Sequence, residues 1–131
     1  MHHTETNEWR AVCDKVWSSG FDSLSHAERV WVVTRELMDA TDNGGLISYF
    51  YNSGADHLQA CLEALDERGA GAVKEQVLKQ CRLFRSKVPS TVGGRNAIIS
   101  SWNGSVDAEI DEINDAVMPL LGDLIRGWNS S

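Results

Sequence analysis

Three residues with catalytic side-chain types, Ser53, Asp56 and His57, lie within five positions of one another. In serine hydrolases a histidine activates the hydroxyl and a carboxylate orients the histidine. This chain lacks the Gly-x-Ser-x-Gly motif that exposes such a serine on a strand-to-helix turn. Ser53 also stands three residues before Asp56, a spacing that suits the N-terminal cap of a helix. The pattern therefore favours a capping role for Ser53 over a nucleophilic one.

The same stretch predicts a second kind of site. Asn43, Tyr49 and Asn52 provide amide and phenol groups beside Asp56 and His57. Polar groups that converge on an otherwise apolar pocket are typical of small-ligand sites. We keep a small-ligand-binding or hydrolytic site at this corner as the alternative to a purely structural role.

Metal ligands are not indicated. His26 and Asp42 could meet Asp56 and His57, but no pair among them has a recognised ligand spacing. The cysteines are three in number and widely spaced, at Cys13, Cys61 and Cys81. We expect reduced, mostly buried thiols, no metal, no cofactor and no catalytic residue.

Acidic side chains form two clusters. The larger has five carboxylates among residues 107–115: Asp107, Glu109, Asp111, Glu112 and Asp115. On a helix this is about one charge per 2.7 Å of axis, against about one per 1.7 Å for duplex DNA. The smaller cluster is Glu63, Asp66 and Glu67. Both are candidate surfaces for a basic partner, and a solvated helix start is the simpler interpretation of the larger one.

Charge is segregated along the chain. Residues 1–67 contain 12 acidic and 4 basic residues, residues 68–103 contain 1 and 7, and residues 104–131 contain 6 and 1. The formal net charge is −7. Direct nucleic-acid binding is disfavoured, because the total charge opposes phosphate and no basic-aromatic motif accompanies the basic segment.

Turn-forming residues flank an aromatic run in residues 43–57. Asn43-Gly44-Gly45 opens the stretch and Asn52-Ser53-Gly54 closes it. Because helical periodicity continues on both sides, we expect two helix-to-helix corners around a short buried helix at residues 46–51, rather than a β-hairpin. Gly44 or Gly45 is expected to adopt a positive φ, and Ser53 to cap the next helix.

Apolar periodicity predicts an all-α fold, a single irregular bundle of five or six helices over residues 1–131. A capping box, Ser25-x-x-Glu28, begins the most strongly marked helix. Pro119 and Gly122 are expected to kink or split the C-terminal helix. The predicted elements are helices at residues 6–18, 25–41, 58–67 and 72–86, a short helical or extended turn within residues 87–104, and a long helix from residue 106.

The block Asn-Gly-Gly-x-x-x-Tyr-Phe-x-Asn-Ser-x-x-x-His resembles the DNA-mimic protein C-terminal-domain family, formerly a domain of unknown function. The resemblance extends over about residues 25–125 and includes Phe84, Pro89 and Arg95. It implies an all-helical, acidic bacterial protein and supplies no catalytic residue. Its motif positions are mainly structural: Asn43, Gly44, Gly45, Tyr49, Phe50, Asn52, Ser53 and His57.

The sequence and the resemblance together predict a non-enzymatic acidic interaction protein. It would act as a DNA mimic that binds and inhibits a basic, nucleic-acid-acting protein such as a transcription regulator. The basic segment interrupts a phosphate-like surface unless a homodimer hides it. No apolar run is long enough to cross a membrane, so we expect a cytoplasmic protein.

Overall fold

The computed structural model describes the backbone of residues 20–129 and the side chains of residues 20–122. This part of the chain contains six α-helices, two short 3-10 helices and no strand, which confirms the all-α prediction. The α-helices are α1 (His26–Gly44), α2 (Leu46–Tyr51), α3 (Leu58–Glu67), α4 (Gly71–Arg82), α5 (Val92–Trp102) and α6 (Asp107–Asn129). The helix expected at residues 6–18 lies outside the described residues.

The start of α1 follows the predicted capping box. The hydroxyl of Ser25 accepts from the backbone N–H of Glu28, and the carboxylate of Glu28 accepts from the backbone N–H of Ser25. Two N–H groups that a helix end would leave unpaired are thereby satisfied. The helix runs three residues beyond its predicted end and stops where Gly45 has a φ of 81°.

The short helix α2 and the longer α3 have the predicted bounds, separated by a 3-10 helix at Ser53–His57. Helix α1 packs against α2 and α3, α4 packs against α6, and α2 also contacts α5 and α6. The core lies where these helices meet around α2. Its most buried side chains include Leu37, Leu46, Tyr49, Phe50, Cys61, Leu65, Val77 and Val117.

Helix α5 is longer than the short turn that the sequence predicts. Gly93 and Gly94 lower the helix propensity of its first turn. The hydroxyl of Thr91 compensates by accepting from the backbone N–H of Gly94 at 3.1 Å. At the other end, Asn103 adopts the left-handed conformation that often terminates a helix.

The C-terminal helix α6 runs without interruption from Asp107 through Pro119 to Asn129, so the expectation that it could be split is wrong. A bend at Pro119 stays a prediction. Ile113, Val117 and Leu121 form its buried stripe. Among the described residues, no helix is both long and apolar enough to cross a membrane.

Candidate functional site

The first corner of the motif joins α1 to α2 and fixes α6 against α2. Gly45 has the positive φ that the sequence predicts, whereas Gly44 is the last residue of α1. The backbone N–H of Leu46 donates to Oδ1 of Asn114, on α6, at 3.1 Å. The positive φ disfavours any residue with a Cβ at position 45, and such a Cβ would also lie 3.2 Å from that oxygen and push Asn114 away.

The second corner is held by a buried arginine from α5. Arg95 is fully buried, and its Nη2 donates to Oδ1 of Asp56 at 2.7 Å. The same guanidinium donates to the backbone carbonyls of Phe50, Asn52 and Pro89 at 2.9–3.0 Å. Four of its five N–H donors are thus used, as a buried charge requires. Arg95 therefore ties α2, the 3-10 helix and the approach to α5 together.

The predicted cap by Ser53 is wrong. Ser53 is the first residue of the 3-10 helix, and Asn52, which precedes it, makes no side-chain cap. The amide of Asn52 instead donates to the carbonyl of Ser48 at 2.7 Å and so satisfies an acceptor near the end of α2. The corner is closed from the preceding helix and by Arg95, not by a hydroxyl at the start of the following one.

The aromatic run divides between core and surface. Tyr49 and Phe50 are fully buried, as the motif predicts, with their rings edge to face at 5.4 Å. Tyr51 is 44% exposed and does not belong to the core. Burial raises the pKa of Tyr49 far above its usual value, and the neighbouring Cys61 raises it further. Its hydroxyl is thus held neutral beside Cys61.

His57 faces α1. Its ring stacks on Phe21 with centroids 4.0 Å apart, and its Nδ1 lies 3.5 Å from a carboxylate oxygen of Glu36. The nearby carboxylate of Glu36 raises the pKa of His57, and partial burial opposes that shift. No hydrogen bond between His57 and Ser53 is present, so the geometry of a hydrolytic pair is absent from this corner. Among the described residues, no group of three or more His, Cys, Asp or Glu side chains could hold a metal ion.

The five polar residues of the alternative ligand site do not converge. Asn43, Tyr49 and Asn52 line an open cleft of about 300 Å³ between α1 and α2. Asp56 is engaged by Arg95, and His57 by Glu36. Cys61 is buried, and burial raises its pKa to about 12, so its thiol stays protonated and unreactive.

The larger acidic cluster lies on the exposed face of α6. All five of its carboxylate side chains are exposed. Within the described residues, none of them forms an ion pair or a hydrogen bond to another side chain. Ile113 and Val117 are buried on the opposite side of the helix, and Asn114 contacts the body from the edge of that buried stripe. We call Asp107, Glu109, Asp111, Glu112 and Asp115 the acidic face of α6.

The smaller acidic cluster, on α3, is engaged within the fold. Asp66 pairs with Lys74 at 2.5 Å, and Glu67 lies 2.7 Å from Nε2 of His26. Glu63 accepts from the side-chain amide of Gln59 at 3.1 Å. The two predicted partner surfaces therefore differ in how much of their charge is already balanced.

Pairing also reduces the exposed charge of the basic segment. Arg95 is buried against Asp56, Lys74 pairs with Asp66, and Arg82 lies 3.5 Å from Glu75. Lys79, Arg85 and Lys87 remain exposed. The basic segment, residues 68–103, thus places several of its cations in internal contacts.

Sequence reasoning missed the roles of Asn114 and Arg95. Asn114 is a polar residue between the buried Ile113 and Val117. The helical spacing from these two residues places it at the edge of the buried stripe of α6. That spacing is the one local signal that could have indicated the role of Asn114. For Arg95, a cation three residues before the apolar pair Ile98-Ile99 on a short helix gives only a weak indication.

Comparison with known protein families gives one match that spans most of the chain. The profile of the DMP19-like protein family matches residues 22–128. No curated protein and no solved structure matches the sequence. The matched region contains both corners of the motif, Arg95 and the acidic face of α6. The chain therefore belongs to the DMP19-like protein family, the DNA-mimic family that the residue 43–57 motif resembles.

Proposed function

We propose that this chain is a non-enzymatic DNA mimic whose acidic face on α6 binds a basic, DNA-binding protein and blocks its nucleic-acid site. The observation that carries the proposal is the set of five exposed carboxylates without an internal counter-ion among the described residues. Their density of about one charge per 2.7 Å of helix approaches that of duplex DNA.

Helix stability does not account for this charge. The helix dipole favours carboxylates only in the first turn, which contains Asp107 and Glu109. Asp111 and Asp115 lie beyond it and repel at i,i+4 spacing, which costs a few tenths of a kcal/mol per pair. A basic partner would relieve that repulsion on binding. The same carboxylates would also steer the partner during encounter, with a rate that falls as salt rises.

The motif supports the proposal by orienting α6. Asn114 follows the acidic residues Asp111 and Glu112 and accepts from the backbone of Leu46. This contact joins the Gly44-Gly45 turn to the acidic helix at the edge of its buried stripe. A fixed helix presents its charges in one geometry, which lowers the entropy lost on binding.

The test compares two triple variants with the same change in charge. Asp111→Asn/Glu112→Gln/Asp115→Asn neutralises the acidic face of α6, and Glu63→Gln/Asp66→Asn/Glu67→Gln neutralises the α3 cluster. Each variant and the parent are immobilised and used to capture proteins from a bacterial lysate at low salt. We expect the parent and the α3 variant to retain a basic protein that the α6 variant does not.

Competition then distinguishes mimicry from general charge attraction. Added duplex DNA should displace the retained protein, and the purified complex should lose affinity as salt rises. Retention by the α6 variant as strong as by the parent would contradict the proposed surface. Retention that duplex DNA does not disturb would contradict DNA mimicry.

A further inference from the structure

A groove that none of the acidic-face residues line is a second candidate site. It lies between α3 and the segment that leaves α4, and its volume is about 740 Å³. This lies within the usual range of small-ligand pockets, about 300–1,000 Å³. Leu58, Leu62 and Leu78 are among its apolar lining residues, and each is only half-buried.

The charged groups of the groove are arranged asymmetrically. Three cations, Arg82, Arg85 and Lys87, stand where α4 ends. The α3 wall contributes Gln59 but no cation. The lining carboxylate, Asp56, is balanced by Arg95 at 2.7 Å, and Glu75 lies 3.5 Å from Arg82 outside the groove. One end of the groove is therefore positive in a chain whose net charge is −7.

Two further features concern the cationic end and the apolar part of the groove. Arg85 has a φ of 59°, a left-handed conformation that non-glycine residues adopt mostly in turns, and it lies in the turn that follows α4 at the cationic end. Cys81 lines the apolar part, and burial raises its pKa to about 11, so its thiol adds no charge.

We propose that this groove binds a free aliphatic carboxylate, with its anionic head between Arg85 and Lys87 and its tail along the leucines. An extended peptide suits the site less well, because its backbone N–H and C=O groups would need partners along an apolar lining. An aliphatic tail has no such groups. This ligand site does not depend on the DNA-mimic function.

The probe is laurate, kept below its micelle concentration and titrated into the full chain by calorimetry. We expect saturable binding at one site per chain, and no such binding of dodecyltrimethylammonium, which has the same tail and the opposite head charge. Backbone NMR shifts on titration should be confined to the groove, at residues such as Leu58, Leu62 and Val88.

Variants of exposed residues test the location. Lys87→Glu should weaken laurate binding about fivefold or more, because it reverses a charge at the head position. Lys79→Glu makes the same charge change on α4 outside the groove and should leave affinity within about twofold. Ser90→Trp, at the exposed margin of the groove, should obstruct the tail while keeping every charge.

Four outcomes would overturn the proposal. These are equal binding of the two amphiphiles, equal weakening by the two lysine variants, unchanged binding to Ser90→Trp, and binding to phosphatidylglycerol vesicles without binding of free laurate. The last would assign the cations to a membrane surface instead. Melting temperatures of the variants close to that of the parent exclude loss of fold as the cause.

Discussion

The corner at residues 43–57 and the acidic face of α6 use their polar groups in opposite ways. In the corner, Asn52, Asp56 and His57 each have a partner within the fold. On the acidic face, five carboxylates have no ion-pair partner among the described residues. A motif that identifies a family can therefore be a structural framework, while the surface proposed to bind a partner consists of carboxylates without an ion-pair partner in the described part of the fold.

Replacement of Arg95 should have the largest effect on stability. Arg95→Leu leaves the carbonyls of Phe50, Asn52 and Pro89 without a donor and should lower the free energy of unfolding by about 3 kcal/mol or more. For a domain of this size that corresponds to a fall in melting temperature of about 10 °C. Thermal unfolding followed by circular dichroism measures it.

Arg95→Lys separates charge from geometry. A lysine keeps the positive charge but has no planar fork for four acceptors, so it should recover little of the lost stability. Arg82→Lys, at an exposed position, is the matched control and should melt within about 1 °C of the parent. Full stability of Arg95→Lys would show that the charge alone holds the corner.

Gly45→Ala should have the next largest effect. Gly45 has a φ of 81° and a ψ of 170°, a region that is essentially restricted to glycine, so a residue with a Cβ costs about 1–3 kcal/mol there, and this Cβ would also press on Asn114. Gly69→Ala is the control, because Gly69 has a φ of 73° but, within the described part of the chain, no atom beyond its neighbours within 4 Å of the position that a Cβ would take. Urea unfolding should therefore show a larger loss of stability for Gly45→Ala than for Gly69→Ala. Equal destabilisation of the two would mean that Asn114 moves aside freely.

Much of the fold follows from signals within single segments. The Ser25-x-x-Glu28 box places the start of α1, and turn residues on each side place α2 at Leu46–Tyr51. Arg95 and Asn114 act differently, because their partners lie as far as 45 and 68 residues away in sequence. No local pattern specifies such pairs, and Ser53 shows that a residue suited to capping is not used when distant residues close the turn instead.

The smaller acidic cluster and the acidic face of α6 show the same limit of prediction from sequence. The sequence predicts both clusters as candidate partner surfaces, and the side chains of both are exposed. The sequence does not reveal that Lys74 and His26 reach Asp66 and Glu67, because both contacts join different elements of the fold. Charge counts therefore identify candidate surfaces, and tertiary contacts decide which carboxylates remain without a counter-ion.

His57 should make stability depend on pH. Its pKa is raised in the fold by Glu36, with smaller contributions from Asp56 and Asp22. The fold therefore stabilises protonated His57. The resulting contribution to the free energy of unfolding is complete below the unfolded pKa of 6.5 and is lost as pH rises through the folded pKa. Urea unfolding across this window should show the loss, and Glu36→Gln should reduce it. An unchanged profile in that variant would rule out the contact as its source.

Neutralising pairs of carboxylates in the two acidic clusters should give the smallest effects, with opposite signs. Asp111→Asn/Asp115→Asn removes repulsion on α6 and should raise stability by a few tenths of a kcal/mol at low salt. Asp66→Asn/Glu67→Gln removes the contacts with Lys74 and His26 and should lower it by a few tenths. High salt should shrink both differences, because exposed charges are screened. Urea unfolding at low and high salt measures them. Destabilisation by the α6 pair of substitutions would mean that those carboxylates support the fold. The contrast between the corner at residues 43–57 and the acidic face of α6 would then be wrong.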